Sequence, residues 1–367
     1  MTFYPHFVRA LTLATAGILL CGNALAQPDA LSFNDHPRTP SNPDWTEMWR
    51  SSPTDVEYLF TDPQRMILHN DQLFVTDSNG ERPVWVFDAH DGSVEDYIGA
   101  LGEGPGEIRI VGAIDIVNDE HLTVQDPRSR AISLFDTDEG SFEYQLEEQL
   151  TFAVGFGEDV MVHKPSSMDD RNVFARAYEV TTTAEGRVAL GDVRWQVALD
   201  EVGEDFAPLR TNSLLKQGPV IVDGDIAYIG FLNAGHLVGL SVETGEVLFV
   251  TAEPHNVNPP DFLGAHEGVD MMAPPVNQYP TMALGLTTDV NYVYALHSGV
   301  VMETRDDLKR IEEAEQVDLY DKETGTYLRS VDLPHPARDL VVTDSHVYLF
   351  TMDEEPVLFK YEKPESL

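Results

Sequence analysis

Met66-Ile67-Leu68-His69-Asn70-Asp71 runs into Gln72-Leu73-Phe74-Val75-Thr76-Asp77, then Val84-Trp85-Val86-Phe87-Asp88, a turn at Asp91-Gly92, and Val94 to Ile98. The fold can be read from this stretch. Each apolar run is four to six residues long, the length of a strand and too short for a helix. The runs are joined by Asn-Asp and Asp-Gly, pairs that tolerate positive φ and bond their own backbone, as tight hairpins require. The reading is four antiparallel strands in succession. The same grammar recurs at Ala113 to Asp119, His121 to Asp126, Ala131 to Asp136, Glu139-Gly140 and Phe142 to Leu146. It returns at Val220 to Gly224, Ile226 to Gly230, Leu237 to Val242, Thr244-Gly245 and Val247 to Val250.

A further copy runs Leu284 to Asp289, Tyr292 to Leu296, Gln316 to Asp321, Thr324-Gly325 and Tyr327 to Leu333. A last one has three strands, Asp339 to Asp344, His346 to Thr351 and Pro356 to Tyr361. The interval between the turn residues Asp119 and Asp223 is about two units long, and Phe152 to Gln196 supplies a degenerate copy there. Six units of roughly 40 to 65 residues are propeller blades by length. The expected fold is therefore all-β: a six-bladed β-propeller of four-stranded antiparallel blades, against a solenoid or a pair of sandwiches. An N-terminal strand, Val56 to Phe60, is expected to complete the last blade, which removes a sheet edge that would invite aggregation. The expected boundaries are 1–26 for a signal peptide, 27–54 for a leader segment and 55–363 for the propeller. Arg305 to Ala314 is helix-like but polar nearly all round, and reads as an insertion.

Ile98-Gly99-Ala100-Leu101-Gly102-Glu103-Gly104-Pro105-Gly106-Glu107-Ile108, followed by the strand pair Ala113 to Val117 and Leu122 to Asp126, resembles a known pattern. It is similar to the Gly-x-Gly-Pro-Gly-Glu loop of six-bladed propellers of the NHL-repeat and TolB-like kind, common among exported bacterial proteins. The resemblance is good over Met66 to Leu146 and loose elsewhere. It implies the fold but not the function, because such propellers include binding modules and metal-dependent hydrolases.

The ends and the composition narrow the classes. Arg9, the apolar run Ala10 to Leu20 and the small-x-small site Ala24-Leu25-Ala26 read as an export signal cleaved before Gln27. That run is too short to span a bilayer comfortably, and no second long one follows, so no transmembrane segment is expected in the mature chain. Lipidation at Cys21 is the alternative, against which Leu20 stands where a small residue is needed. Cys21 is the one cysteine, so a chain cleaved after Ala26 has neither disulfides nor thiol chemistry. There are 63 acidic against 23 basic side chains, a formal net charge of -40, which repels phosphate backbones and argues against nucleic acid. Such a Lys-poor, acid-rich chain suits salty surroundings. With 42% hydrophobic residues it can still bury a large core.

Function is expected where long loops gather at one end of a propeller's channel. Thr251 to Ala283 is the longest such loop, and His266, Glu267, Asp270 and Tyr279 are its candidates for a lid over the channel. A blade-capping insertion is the plain structural alternative. Glu103 and Glu107 in the glycine loop could present carboxylates near the axis, or Glu107 could simply bond backbone amides. The loop superficially matches a phosphate-binding loop, but no Lys follows. Arg128 and Arg130 could bind an anionic group or pair with Asp126 or Asp136, and Arg109 and Arg338 join them on the mouth loops. Asp77, Asp88, Asp126, Asp136 and Asp321 recur at strand ends and read as turn caps. His236, His297, His335 and His346 lack ligand spacing, and no His-Glu-x-x-His, EF-hand or Gly-x-Ser-x-Gly motif occurs.

The leading expectation is an exported, non-enzymatic binding propeller that takes a protein partner or a small ligand, without a certain cofactor. The alternative resembles gluconolactonase-like propellers: a lactonase or esterase with Ca2+ held by Glu267 and Asp270. A structural envelope component is the third.

Overall fold

The computed structural model describes residues 40–51, 63–78, 80–146, 154–165, 170, 172–203, 206, 218–231, 236–252, 261–266, 269–273, 285–297, 313–351 and 356–367. These residues form a six-bladed β-propeller. Blade one is Pro63–His69, Gln72–Asp77, Val84–Asp88 and Val94–Ile98. Blade two is Ile114–Val117, His121–Asp126, Ala131–Asp136 and Phe142–Gln145. Blade three, the degenerate copy, is Val154–Phe156, Val160–His163, Val173–Thr182 and Val188–Ala198. Blade four is Val220–Asp223, Ile226–Gly230, His236–Ser241 and Val247–Ala252. Blade five is Leu286–Thr288, Tyr292–His297, Ala314–Asp321 and Tyr327–Ala337, and blade six begins Asp339–Val342, His346–Thr351, Val357–Glu362. Among the described residues helix is confined to one turn, Leu199–Val202, and most of the helix-like Arg305 to Ala314 lies outside them.

Closure is visible in the contacts. The first strand of each blade touches the first strand of the next, from blade one round to blade six and back to blade one. These six strands line the channel, and apolar cores fill the spaces between blades. Phe74, Val86, Leu122 and Phe135 lie between blades one and two, and Val162, Phe174, Ile229 and Val238 between blades three and four. Each face of a sheet is thereby covered, so strands such as Leu73-Phe74-Val75 are apolar on both faces instead of alternating.

The strand that completes blade six is Glu47–Ser51, antiparallel to Val357–Glu362, with Arg50 opposite Phe359 and Ser51 opposite Leu358. The expected strand, Val56 to Phe60, lies outside the described residues. Glu47-Met48-Trp49-Arg50-Ser51 is a poor apolar run, which hides it from a reading of pattern, yet its tryptophan makes the contact that counts. A Cβ on Gly92 of blade one would sit 2.7 Å from the Trp49 ring. Just upstream, Pro40–Ser41 runs parallel to Ser330 and Val331 on the outer edge of blade five. Trp45 Nε1 donates to the Asp332 carbonyl at 3.2 Å, and its ring meets Tyr361 edge-on. Twelve residues of the expected leader, 40–51, thus strap blade five to blade six.

Candidate functional site: the loop-side end of the channel

The first strand of a blade is an edge strand towards the axis, so its outward N–H groups need partners from outside the sheet. Carboxylates of neighbouring blades supply two of them. Asp339, at the head of blade six, accepts from Met66 N of blade one at 2.8 Å. Asp115 of blade two accepts from Phe156 N of blade three at 2.7 Å and from Ile116 N at 2.8 Å. Burial pushes both carboxyls up to about 6, against the opposing pull of those amides and, at Asp339, of Arg65.

Asp339 belongs to a cluster at the end of the channel where the chain enters each first strand. Arg65 Nη1 lies 3.9 Å from Asp339 Oδ1. Both side chains crowd the backbone of Gly285, where a Cβ would be 2.6 Å from Asp339 Oδ1 and 3.4 Å from Arg65 Nη1, so blade five leaves room for the pair by having no side chain there. Across the mouth, Lys164 is only 2% exposed. Its Nζ donates to the Gly230 carbonyl at 2.9 Å and sits 3.9 Å from the centre of the Phe231 ring. Arg65, Lys164, Asp339 and Gln125 share the wall of a cavity of about 320 Å³ with aliphatic residues that include Met66, Ile114, Val154, Val220 and Leu286.

The opposite end of the channel is different. It opens into a larger cavity, about 650 Å³, beside the first hairpin turns, with His69, Asp115, Asp119, Glu158 and Asp223 on its wall. Lys322 pairs with Asp223 at 2.7 Å, and Lys363 pairs with Asp289. Among the described residues, no three His, Cys, Asp or Glu side chains are gathered to hold a metal ion.

The glycine loop and the Asp126 to Arg130 turn do come together, but on the rim of blade two. Glu103, Glu107, Asp126 and Arg130 share a cavity of about 390 Å³ with Gln145 and Leu146 at the end of the outermost strand. The loop's carboxylates therefore face this rim pocket, and neither lines the axial cavity. Glu107 Oε2 accepts from Glu103 N at 2.8 Å and Gly104 N at 2.7 Å, the amide-capping role expected of it. A side chain at Gly102 would strike Glu107, and one at Gly104 would crowd it. Glu103 pairs with Arg109 at 2.8 Å. Asp126 caps its own turn through Arg128 N and Ser129 N and receives Arg109 N as well. The Arg128 and Arg130 guanidiniums make no ion pair among the described residues, with Asp126 and Asp136 turned to backbone amides instead. Arg130 holds φ of +60°, a left-handed position where the other non-glycine examples are Asn and Asp.

Arg338 N donates to the Phe350 carbonyl, which places the residue at the head of blade six beside Asp339. Thr251 to Ala283 is not wholly loop: Asp261–His266 and Val269–Ala273 pair as an antiparallel hairpin. That puts His266 opposite Val269 and Asp270 opposite Ala265. Their side chains, with Glu267 and Tyr279, lie outside the described residues, as does the Ca2+ assignment made on Glu267 and Asp270. The residues missed by sequence reading are Arg65, Gln125, Lys164 and Asp339. Their one signal was Lys164 itself, a rare lysine standing directly after the apolar strand Val160-Met161-Val162-His163.

A family comparison and one solved structure agree with the fold. The DUF5128 family, described as a 6-bladed beta-propeller, matches residues 53–187, from just before blade one into blade three. No curated protein matches the sequence. Among solved structures, a Bacteroides fragilis protein described as exported is 10% identical, covers 91% of this chain and 99% of its own, and superposes with a TM-score of 0.52. The computationally designed Ika8 protein is 12% identical over 86% of this chain and 99% of its own, with a TM-score of 0.44. BamB from Moraxella catarrhalis is 10% identical over 81% and 71%, with a TM-score of 0.38. At 10% identity the first of these is a likeness of fold alone.

Proposed function

We propose that this chain is an exported, non-enzymatic binding propeller whose ligand occupies the loop-side end of the central channel. The observation that carries the reading is the meeting of Arg65, Lys164 and Asp339, from blades one, three and six, around one cavity of about 320 Å³. Keeping Lys164 and Asp339 this buried is costly, and a structural role for them is served more cheaply by apolar residues. Two of them are also oriented by the fold, Lys164 by Gly230 and Asp339 by Met66. Preorganised polar groups in an otherwise apolar pocket are the usual construction of a small-molecule site. Export is supported by the Met1 to Ala26 segment and by the exported Bacteroides fragilis protein of the same fold.

The test is ligand-observed NMR screening of small fragments against the chain secreted by its own N-terminal segment, alongside an Ala113→Trp variant that fills the cavity wall. Hits on the parent that vanish in Ala113→Trp are expected, from a secreted chain whose intact mass places its start at Gln27. Hits that survive the substitution would put the site elsewhere. A secreted mass that retains residues 1–26 would sink the export reading.

A further inference from the structure

We propose that the rim pocket of blade two is a second binding site, which takes a carboxylate, of a small acid or of a peptide, on Arg130. It is separate from the channel end and depends on none of the residues there. Three observations lead to it.

The first is backbone. The turn Pro127 to Arg130 joins Asp126 to its partner Ala131 on the next strand, and it ends with Arg130 at φ of +60°. Glycine is the ordinary residue at a left-handed position in a turn, because a Cβ is crowded there. The other positive-φ positions hold glycine, Asn or Asp. Turn chemistry therefore does not select an arginine at this point. Residues that sit against the preference of their own backbone cluster at functional sites, where the side chain is the reason for the strain.

The second is charge. Glu103, Glu107 and Asp126 share the pocket wall with Arg130, yet each is engaged by something else. Glu107 accepts Glu103 N and Gly104 N, and Asp126 accepts Arg109 N, Arg128 N and Ser129 N. Glu103 pairs with Arg109. The Arg130 guanidinium makes no ion pair among the described residues, in a chain with 63 acidic side chains to 23 basic. Its planar fork of N–H donors matches a carboxylate. The same three acids set the class of anion, because a phosphate or sulfate would bring more negative charge past them than a carboxylate does. Acids elsewhere in the chain, beyond a screening length of about 8 Å at physiological salt, count for little here.

The third is shape. The pocket encloses about 390 Å³, within the range of small-molecule sites. Ser129 stands on its wall directly before Arg130, and Asp126 holds this turn through two of its amides, so the two adjacent donors share a fixed support. Pro105, Ala131, Gln145 and Leu146 complete the wall, a mixed lining suited to a short polar body with an amide.

Ligand-observed NMR titration in about 0.15 M salt tests the proposal. N-acetylglycinate presents a chain-end carboxylate, and the α-amide of N-acetylaspartate presents a side-chain one. N-acetylglycinamide and inorganic phosphate are the controls. At least one carboxylate is expected to bind about fivefold or more tightly than both controls, and the tighter of the two names the source. Arg130→Gln, which keeps the stem and the backbone but removes the charge, is expected to weaken that binding about fivefold or more. Arg128→Gln on the same turn and Ala113→Trp in the channel are expected to be silent. Arg130→Asn is expected to lose binding and yet melt no lower than the parent, since Asn suits a left-handed backbone. Binding that survives Arg130→Gln, or that falls equally in Arg128→Gln, would overturn the site. So would equal binding of N-acetylglycinamide, loss of binding in Ala113→Trp, or no binding of either carboxylate at about 10 mM. An Arg130→Asn variant that melts below the parent would show that the arginine serves the fold, and would overturn it too.

Discussion

Asp339 shows how one residue can serve the ring and still cost stability. Its Oδ2 closes the gap between the last blade and the first by accepting Met66 N, but the residue is 5% exposed and burial holds its carboxyl at about 6 instead of 3.8. The folded state therefore binds a proton more tightly than the unfolded state. That binding contributes stability at low pH, which is lost as pH rises from about 4 through about 6. At neutral pH the ionised form costs on the order of 2–3 kcal/mol relative to a neutral one. Asp339→Asn keeps an acceptor for Met66 N and cannot ionise. It is expected to stabilise the protein by that order at pH 7.5, and by roughly half as much at pH 5, in urea unfolding. A variant less stable than the parent at pH 7.5 would mean that the carboxylate's attraction to Arg65 outweighs its burial.

At the scale of elements, one device recurs in blades one, two, four and five. There the turn between the third and fourth strands contains a glycine at positive φ that packs beneath a large side chain on the outer strand of the preceding blade, whereas a Cβ on the corresponding Gly186 of blade three would have nothing within 4 Å. Gly140 meets Ile98, Gly245 meets Trp195 and Gly325 meets Phe249. Gly92 of blade one meets Trp49 in the same way, which gives the N-terminal strand Glu47–Ser51 the role that Trp195 and Phe249 play on fourth strands inside the repeat. At these positions glycine serves twice, for the left-handed backbone and for the absent Cβ. The strand is thus part of the closure, and its stabilisation is concentrated in one side chain. Trp49→Ala is expected to cost about 2–4 kcal/mol in urea unfolding, while Met48→Ala, on the exposed face of the same strand, changes little. Equal effects of the two substitutions would refute the strand's place in blade six.

For the whole molecule the governing quantity is a net charge of -40. Many of the acids cap turns: Asp88, Asp136 and Asp321 each accept backbone amides of the third hairpin. Asp71, Asp119, Asp223, Asp289 and Asp344 stand at the first hairpins on the same side of the ring. Each is locally useful, and together they repel. Raising NaCl from 0.1 to 1 M shortens the screening length from about 10 to about 3 Å and removes most of that repulsion. The melting temperature is expected to rise by about 5 °C or more over this range, equally in KCl, by differential scanning calorimetry. A flat or falling melting temperature would show that the acids are compensated within the fold.

Strand runs, turn pairs and the number of blades were legible in the residues alone. They depend on local physics: the length of an apolar run, and the φ that Asn-Asp or Asp-Gly will accept. The capping role of Glu107 was legible for the same reason, since its partners are three and four residues away. Closure by Glu47–Ser51 was not, because its strength lies in Trp49 meeting Gly92 across a blade boundary. Nor was the channel-end cluster. Arg65, Lys164 and Asp339 have no spacing that links them and meet only because six first strands close into a ring, a non-local constraint that no stretch of the chain carries by itself.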